Sequence, residues 1–232
     1  MPRLLDLFCG AGGAAMGYHR AGFEVVGVDN RPQPNYPFEF IQGDALNPPV
    51  RLWQFDAIHA SPPCQGYSRL RHLPWLKDRE YPLLIEPTRD MLKASGRTWV
   101  IENVEDAPLS RAPSLFGEHG VLLCGQMFQL PGQYRHRGFE SSVPLVQPAH
   151  PRHPFVMAPG GASLAKRYVG GVAGVTAWQK AGDVAGHFGN REQAERSMGI
   201  DWMTVDELRQ AIPPVMTKFI GEQLMEYLRR AA

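Results

Sequence analysis

The chain opens on Leu4-Leu5-Asp6-Leu7-Phe8, an apolar run broken by one acid. Similar short runs return at Glu24-Val25-Val26-Gly27-Val28, Phe55-Asp56-Ala57-Ile58-His59-Ala60 and Thr98-Trp99-Val100-Ile101. Runs of this length without strict alternation are what strands buried on both faces require. Between them the pattern predicts helices over roughly 13–21 and from Pro87 to about Ser95, with proline suited to a first helical turn. A weaker strand is expected near Phe38–Gln42. Strand and helix in turn predict an α/β fold, a mainly parallel sheet with helices on both faces. The period changes after 105. Val121–Cys124 and Tyr134–Phe139 read as strands with no long helix between them, hence an antiparallel edge. Residues 140–191 are rich in Gly, Pro, His and Lys/Arg and show little period. Thr204-Val205-Asp206-Glu207 forms a capping box. Leu208 and Ile212 then share a helix face, Pro213-Pro214 break that helix, and Val215–Arg230 make a last amphipathic one. The expected division is a catalytic and cofactor-binding domain over 1–137, a small recognition module over 138–191, and C-terminal helices returning over 192–232.

Composition narrows the class. The 232 residues suffice for one domain with a large core. No apolar stretch approaches the ~20 residues of a membrane helix, and strand-like sequence begins at once, so no signal peptide is expected. Three cysteines without paired spacing argue against a disulfide framework or a four-cysteine metal site. The expectation is a cytoplasmic monomer without a metal. The net charge is only +1, but residues 131–200 hold eight Lys/Arg against four Asp/Glu. That excess suits a nucleic-acid contact, and a solvated loop would carry it equally well.

Three strand ends carry polar groups: the turn Cys9-Gly10-Ala11-Gly12-Gly13, then Asp29, about twenty positions on, then Gly43-Asp44. Glycine lets backbone approach a ligand, and an acid at the second strand end is placed for ribose hydroxyls. No lysine follows the glycines, which disfavours a triphosphate, and the dinucleotide spacing of glycines is absent. Ser61-Pro62-Pro63-Cys64-Gln65 sets a cysteine among polar residues on a stiff loop at a strand's end, where a nucleophile belongs. Cys9 and Cys124, in apolar surroundings, read as small buried hydrophobes. Glu102 directly follows Trp99-Val100-Ile101, an unusual place for a charge. Asn103 reads as an orienter of loop backbone. Arg135 and Arg137 alternate on a strand and so share a face. The long loop 61–82 carries Tyr67, Ser68, Arg69, Arg71, His72 and Trp75.

The order of glycine turn, Pro-Pro-Cys-Gln, Ile101-Glu102-Asn103-Val104 and Gln133-Tyr134-Arg135-His136-Arg137 resembles the cytosine-C5 DNA methyltransferase family. The resemblance implies a Rossmann-like methyltransferase fold and S-adenosylmethionine as cofactor. It implies methylation of C5 of a cytosine flipped from double-stranded DNA, through a covalent Cys64 adduct. Catalysis would then fall to Cys64, Glu102, Arg135 and Arg137. The cofactor would be held by Asp6, Phe8, Cys9, Gly10, Ala11, Gly12, Gly13, Asp29, Asn30, Asp44, Ala45 and Pro62. DNA would meet Gln65, Tyr67, Ser68, Arg69, Arg71, Lys166 and Arg167. Two departures stand out: Asp29 replaces the family's glutamate, and Arg209-Gln210-Ala211-Ile212-Pro213-Pro214 matches only the end of its C-terminal motif. The short interval 138–191 looks like small phage-type members. Methylation of RNA or of a free nucleotide, and a silent DNA-binding module of the same fold, stay open. The Cys-Phe-Thr signature of the tRNA-methylating branch is absent.

Overall fold

The structure, a computed structural model, describes residues 1–68, 79–110, 119–130, 135–152 and 191–231. Seven strands among them form one sheet: β1 (Arg3–Leu7), β2 (Glu24–Asp29), β3 (Glu39–Gln42), β4 (Ala57–Ala60), β5 (Thr98–Val104), β6 (His119–Cys124) and β7 (His136–Ser141). Their order is β3-β2-β1-β4-β5-β7-β6. The first five are parallel, and β7 runs antiparallel between β5 and β6. The order reverses between β1 and β4. In such sheets a crevice opens there, beyond the carboxyl ends of the strands.

Helices α1 (Gly13–Arg20) and α5 (Pro214–Ala231) pack with Leu4, Val25, Ala57 and Val100 on one face of the sheet. Helix α2 (Ile85–Ser95) packs with Leu5, Val26, Ile58, Trp99 and Ile101 on the other. This is the expected two-faced cover, and it follows from side chains alternating along each strand. Burying each Leu or Ile contributes roughly 1.5–3 kcal/mol. Helix α1 approaches α5 closely at Gly17, where a Cβ would overlap the Thr217 hydroxyl and the Pro214 carbonyl. Two short helices, α3 (Arg191–Met198) and α4 (Val205–Gln210), form a third cluster through Ala194, Met198, Met203 and Leu208, and Ala11 joins it. The capping box is present: the Glu207 N–H donates to Thr204 Oγ1 at 3.3 Å and the Thr204 N–H to Glu207 Oε2 at 2.7 Å.

Three expectations are corrected. The boundary drawn after 137 cuts β7, whose pairing with β5 runs on to Ser141, so the sheet includes residues assigned to the recognition module. Strand β7 begins at His136, where pairing with Cys124 starts, so Arg135 precedes it. Ile212 does not share a helix with Leu208: α4 ends at Gln210 and Ala211 is extended, so Ile212 joins the core beneath α5 instead.

Candidate active site

Along β1, β4 and β5 the period of two leaves three polar side chains on the α1 face: Asp6, His59 and Glu102, exposed by only 1%, 0% and 3%. Each interrupts an apolar strand beneath the crevice.

The nucleoside edge is built from the ends of β1, β2 and β3. Phe8 turns the chain with φ 58°, a conformation a bulky residue adopts only when its surroundings enforce it. Gly12, at φ 85°, begins α1, and a Cβ there would lie 2.7 Å from Pro37. The turn is pinned from both sides: the Cys9 N–H donates to the Val28 carbonyl at 3.2 Å and the Gly10 N–H to Asp29 Oδ2 at 3.1 Å. Asp29 also accepts from the Arg31 N–H through its other oxygen, at 3.0 Å. Beyond Gly10 the space a Cβ would fill is open for 4 Å. Asp44 is exposed and accepts the Leu46 N–H at 2.9 Å, and Ala45 beside it is buried. The exposed Asn30 offers its carbonyl to the Gln42 amide at 3.2 Å. Asp29 and Asp44 thus stand at neighbouring strand ends, as the spacing required.

Asp6 lies deeper. Neither of its oxygens meets a hydrogen-bond partner among the described residues. Burial first, and the charge of Asp29 second, hold its carboxyl well above the usual carboxylate range. Cys9 is buried as expected, and burial pushes its thiol up.

The base-reacting edge comes from the ends of β4 and β5. The Ser61 N–H extends the β1 ladder by donating to the Leu7 carbonyl at 3.1 Å. Pro62 is buried, and its carbonyl accepts Asn103 Nδ2 at 2.8 Å. Asn103 therefore ties the Pro-Cys loop to β5, the orienting role its position suggested. Cys64 follows half-buried, and its carbonyl accepts the N–H groups of Tyr67 and Ser68, both at 3.0 Å. Glu102 ends the polar row on β5. Its Oε1 lies 3.4 Å from an Arg137 guanidinium nitrogen without hydrogen-bond geometry, which leaves that oxygen unpartnered among the described residues. Burial raises the Glu102 carboxyl, while the Arg137 charge, the Ser61 hydroxyl and the Arg135 charge oppose the rise.

His59, Tyr18 and Ser61 were not anticipated. The Tyr18 hydroxyl meets His59 Nδ1 at 2.9 Å, and His59 Nε2 meets Ser61 Oγ at 2.7 Å. The Ser61 hydroxyl in turn faces the Glu102 carboxyl and opposes its rise. Burial pushes His59 down to about 3, so the ring is neutral and carries one N–H. The chain then runs one way, toward a Glu102 carboxylate, or the other way, from a protonated Glu102. A lone histidine in an apolar strand gives no sequence sign of this, because its partner Tyr18 stands 41 positions away.

Arg137 is buried on the Glu102 side, but Arg135 is not its companion there. Its guanidinium donates to the carbonyls of Arg209 and, at 3.4 Å, Ala211. Because Arg135 precedes β7, it clasps the C-terminal end of α4 and acts on Glu102 through its charge. That segment also touches the glycine turn, where Trp202 Nε1 donates to the Ala11 carbonyl at 3.0 Å. Of the expected DNA contacts, Gln65 is exposed and Ser68 half-buried. Tyr67 is corrected: its hydroxyl accepts the Ile85 N–H at 3.0 Å, so it caps α2 and packs in the core below. Arg69, Arg71, His72, Trp75, Lys166 and Arg167 lie outside the described residues. No helix among the described residues is long and apolar enough to cross a membrane.

Residues 2–112 match the family model of the C-5 cytosine-specific DNA methylases. The type II methyltransferase M.HgiDI of Herpetosiphon aurantiacus is 34% identical over 141 residues, covering 52% of this chain and 44% of that protein. M.HgiGI of the same organism is 33% identical over 125 residues, 47% of this chain and 95% of that protein. Against M.HgiDI, M.FnuDI and M.AquIA the chain spans 44%, 32% and 48% of their lengths. Two solved structures share the fold at low identity. One, described as a DNA modification methyltransferase encoded within an E. coli prophage, has a TM-score of 0.61 at 15% identity and covers 99% of this chain and 100% of its own. The other, the S. pombe Dnmt2 methyltransferase, has a TM-score of 0.59 at 13% identity, covering 98% and 99%. With a glycine turn backed by Asp29 and a Pro-Cys loop tied to the Glu102 strand, the chain belongs to the C-5 cytosine-specific DNA methylase family.

Proposed function

We propose that this protein methylates C5 of cytosine in double-stranded DNA, with Cys64 as covalent nucleophile. One observation carries the reading: the Asn103 amide holds the Pro62 carbonyl at 2.8 Å, which fixes the Cys64 loop beside β5, the strand that carries Glu102. Cytosine is too electron-poor to react at C5 unaided. Addition of the Cys64 sulfur, as thiolate, to C6 breaks the C5=C6 double bond and leaves an enamine at C4=C5, nucleophilic at C5, provided N3 gains a proton or a strong hydrogen bond as charge develops. Glu102 is suited to this. Its carboxyl is raised by burial, so it holds its proton better than an exposed glutamate, and its Oε1 is left for a ligand. Arg137 stands where it balances the carboxylate when that proton leaves. After transfer, loss of the C5 proton and departure of the sulfur restore the ring.

S-adenosylmethionine, when bound, supplies the methyl group as a cation equivalent. The residues present fit it. The open face of Gly10 allows close approach, and Asp29 and Asp44 offer carboxylates to ribose and adenine. Base readout is assigned to residues 142–190, on their share of the local Lys/Arg excess. The target must leave the helix, at a cost of a few kcal/mol.

The test offers a labelled methyl donor with duplex DNA, tRNA or dCMP to wild type and Cys64→Ala. Duplex labelling that disappears in the variant is expected. A duplex containing 5-fluorocytosine is expected to give an adduct stable in denaturant. Labelling of tRNA or dCMP alone would refute the substrate, and an adduct persisting in Cys64→Ala would refute the nucleophile.

A further inference from the structure

We propose that Cys124, His136 and His150 form a zinc site that clamps the β6–β7 hairpin to the segment leaving it. The proposal stands apart from the methyltransferase reading and uses none of its residues.

Cys124 ends β6 and lies directly opposite His136, the first residue of β7. Directly opposed residues of an antiparallel pair project to the same side of the sheet. His150 then returns to the same place, with its Nε2 3.0 Å from His136 Nε2. One ligand atom from each of the three residues lies within 4.8 Å of the other two. Tetrahedral zinc, with bonds of about 2.0–2.1 Å to nitrogen and 2.3 Å to sulfur, needs nitrogens about 3.3 Å apart and sulfur about 3.6 Å from each. The nitrogens are already near that separation. The sulfur has at most about 1.2 Å to close, within reach of a small χ1 change and a ring swing.

The outer groups fit as well. His136 Nδ1 faces Glu105 Oε2 at 3.5 Å. A carboxylate on the distal nitrogen fixes the tautomer that leaves Nε2 to bind metal, the usual outer partner of a metal-bound imidazole. The backbone N–H of Gln126 is turned to the Cys124 sulfur, as suits a thiolate ligand. A direct N–H···N bond accounts for the two rings, which are nearly coplanar at 16°. It does not account for a buried thiol beside them. One thiolate and two imidazoles select zinc over magnesium or calcium, and three protein ligands leave a coordination position open. The cluster escapes sequence reading because its members stand 12 and 14 positions apart and meet only through strand pairing. Since His136 lies between Arg135 and Arg137, the clamp would also hold the start of the strand that presents Arg137.

The full-length chain, stripped with a chelator, is titrated with zinc alone and with cobalt alone. Expected are one equivalent bound, a thiolate-to-cobalt charge-transfer band in the near ultraviolet, loss of that band in Cys124→Ser, and at least about tenfold weaker zinc binding in His150→Ala. His150 is exposed, so its removal leaves the core intact even where the buried Cys124→Ser fails to fold. Less than one equivalent, cobalt binding without the band, or unchanged affinity in a folded His150→Ala would each overturn the site. None of these outcomes bears on methyl transfer.

Discussion

Replacing Glu102 by Gln separates the two forces on this carboxyl. Burial raises it and Arg137 opposes that rise, and burial wins. The sign for stability follows. A carboxyl whose folded value lies above its unfolded value of about 4.3 gives stability that is complete in acid and lost as pH rises through the folded value. In that window the folded chain holds one proton more than the unfolded, so wild-type stability falls by about 1.4 kcal/mol per pH unit on this account. Glu102→Gln keeps the shape and removes the proton. While Glu102 is protonated the wild type also leaves the buried Arg137 without a carboxylate beside it, so Gln imitates the acid form, and the loss of the ion pair is felt only where the folded carboxyl ionises. The measurement is therefore a difference in slope. Urea unfolding of both proteins is compared at intervals from pH 5 to 8, and the wild-type advantage should shrink as pH rises, then level off. Asp6 titrates in the same direction and is present in both proteins, so its contribution cancels apart from the part of its rise owed to the Glu102 charge, the last of its causes. A difference independent of pH, or one growing with pH, would mean that Arg137 dominates and Glu102 is ionised throughout. The mechanism would then lack its proton donor.

Asp6→Asn should stabilise the chain at pH 8 and lose that advantage in acid, read as thermal midpoints at both pH values, since burial and Asp29 both raise this carboxyl. Gly17→Ala drives a methyl into Thr217 and Pro214 and should cost about 1–3 kcal/mol or more in urea, prising α1 from α5. His59→Leu leaves the buried Tyr18 hydroxyl without its partner and should cost about 1–3 kcal/mol, much of it recovered by adding Tyr18→Phe. Purely additive losses in that pair would show that the bond carries no coupling.

The parallel strands were legible because burial on both faces writes them as apolar runs, and β1, β2, β4 and β5 fall where those runs stand. Helices α1, α2 and α5 were legible through period and proline: Pro214 opens α5 in the first position, where a missing N–H costs nothing. Asp29, Asp44, Cys64 and Glu102 were found because each sits at the end of such a run, and strand ends are where this architecture exposes chemistry. What the sequence hid depends on pairing across distance. Strand β7 begins two residues later than its pattern suggests, because the ladder with Cys124 sets its start, and that shift leaves Arg135 outside the strand and away from Arg137. Tyr67 reads as an exposed loop aromatic until its hydroxyl is seen capping α2.

The same long-range logic binds the two halves of the site. Trp202 holds the Ala11 carbonyl of the glycine turn, Glu207 accepts the Asn35 amide at 2.9 Å, and Arg135 grips the carbonyls of Arg209 and Ala211 at the end of α4. These three contacts belong to one stretch, 202–211, and they reach the nucleoside edge on one side and the arginine strand on the other. The family's C-terminal motif is only half present here, yet its place is filled by backbone carbonyls and an indole, groups that need no particular motif to act. One stretch thus ties the glycine turn to the arginine whose charge acts on Glu102, so the two edges share a single support.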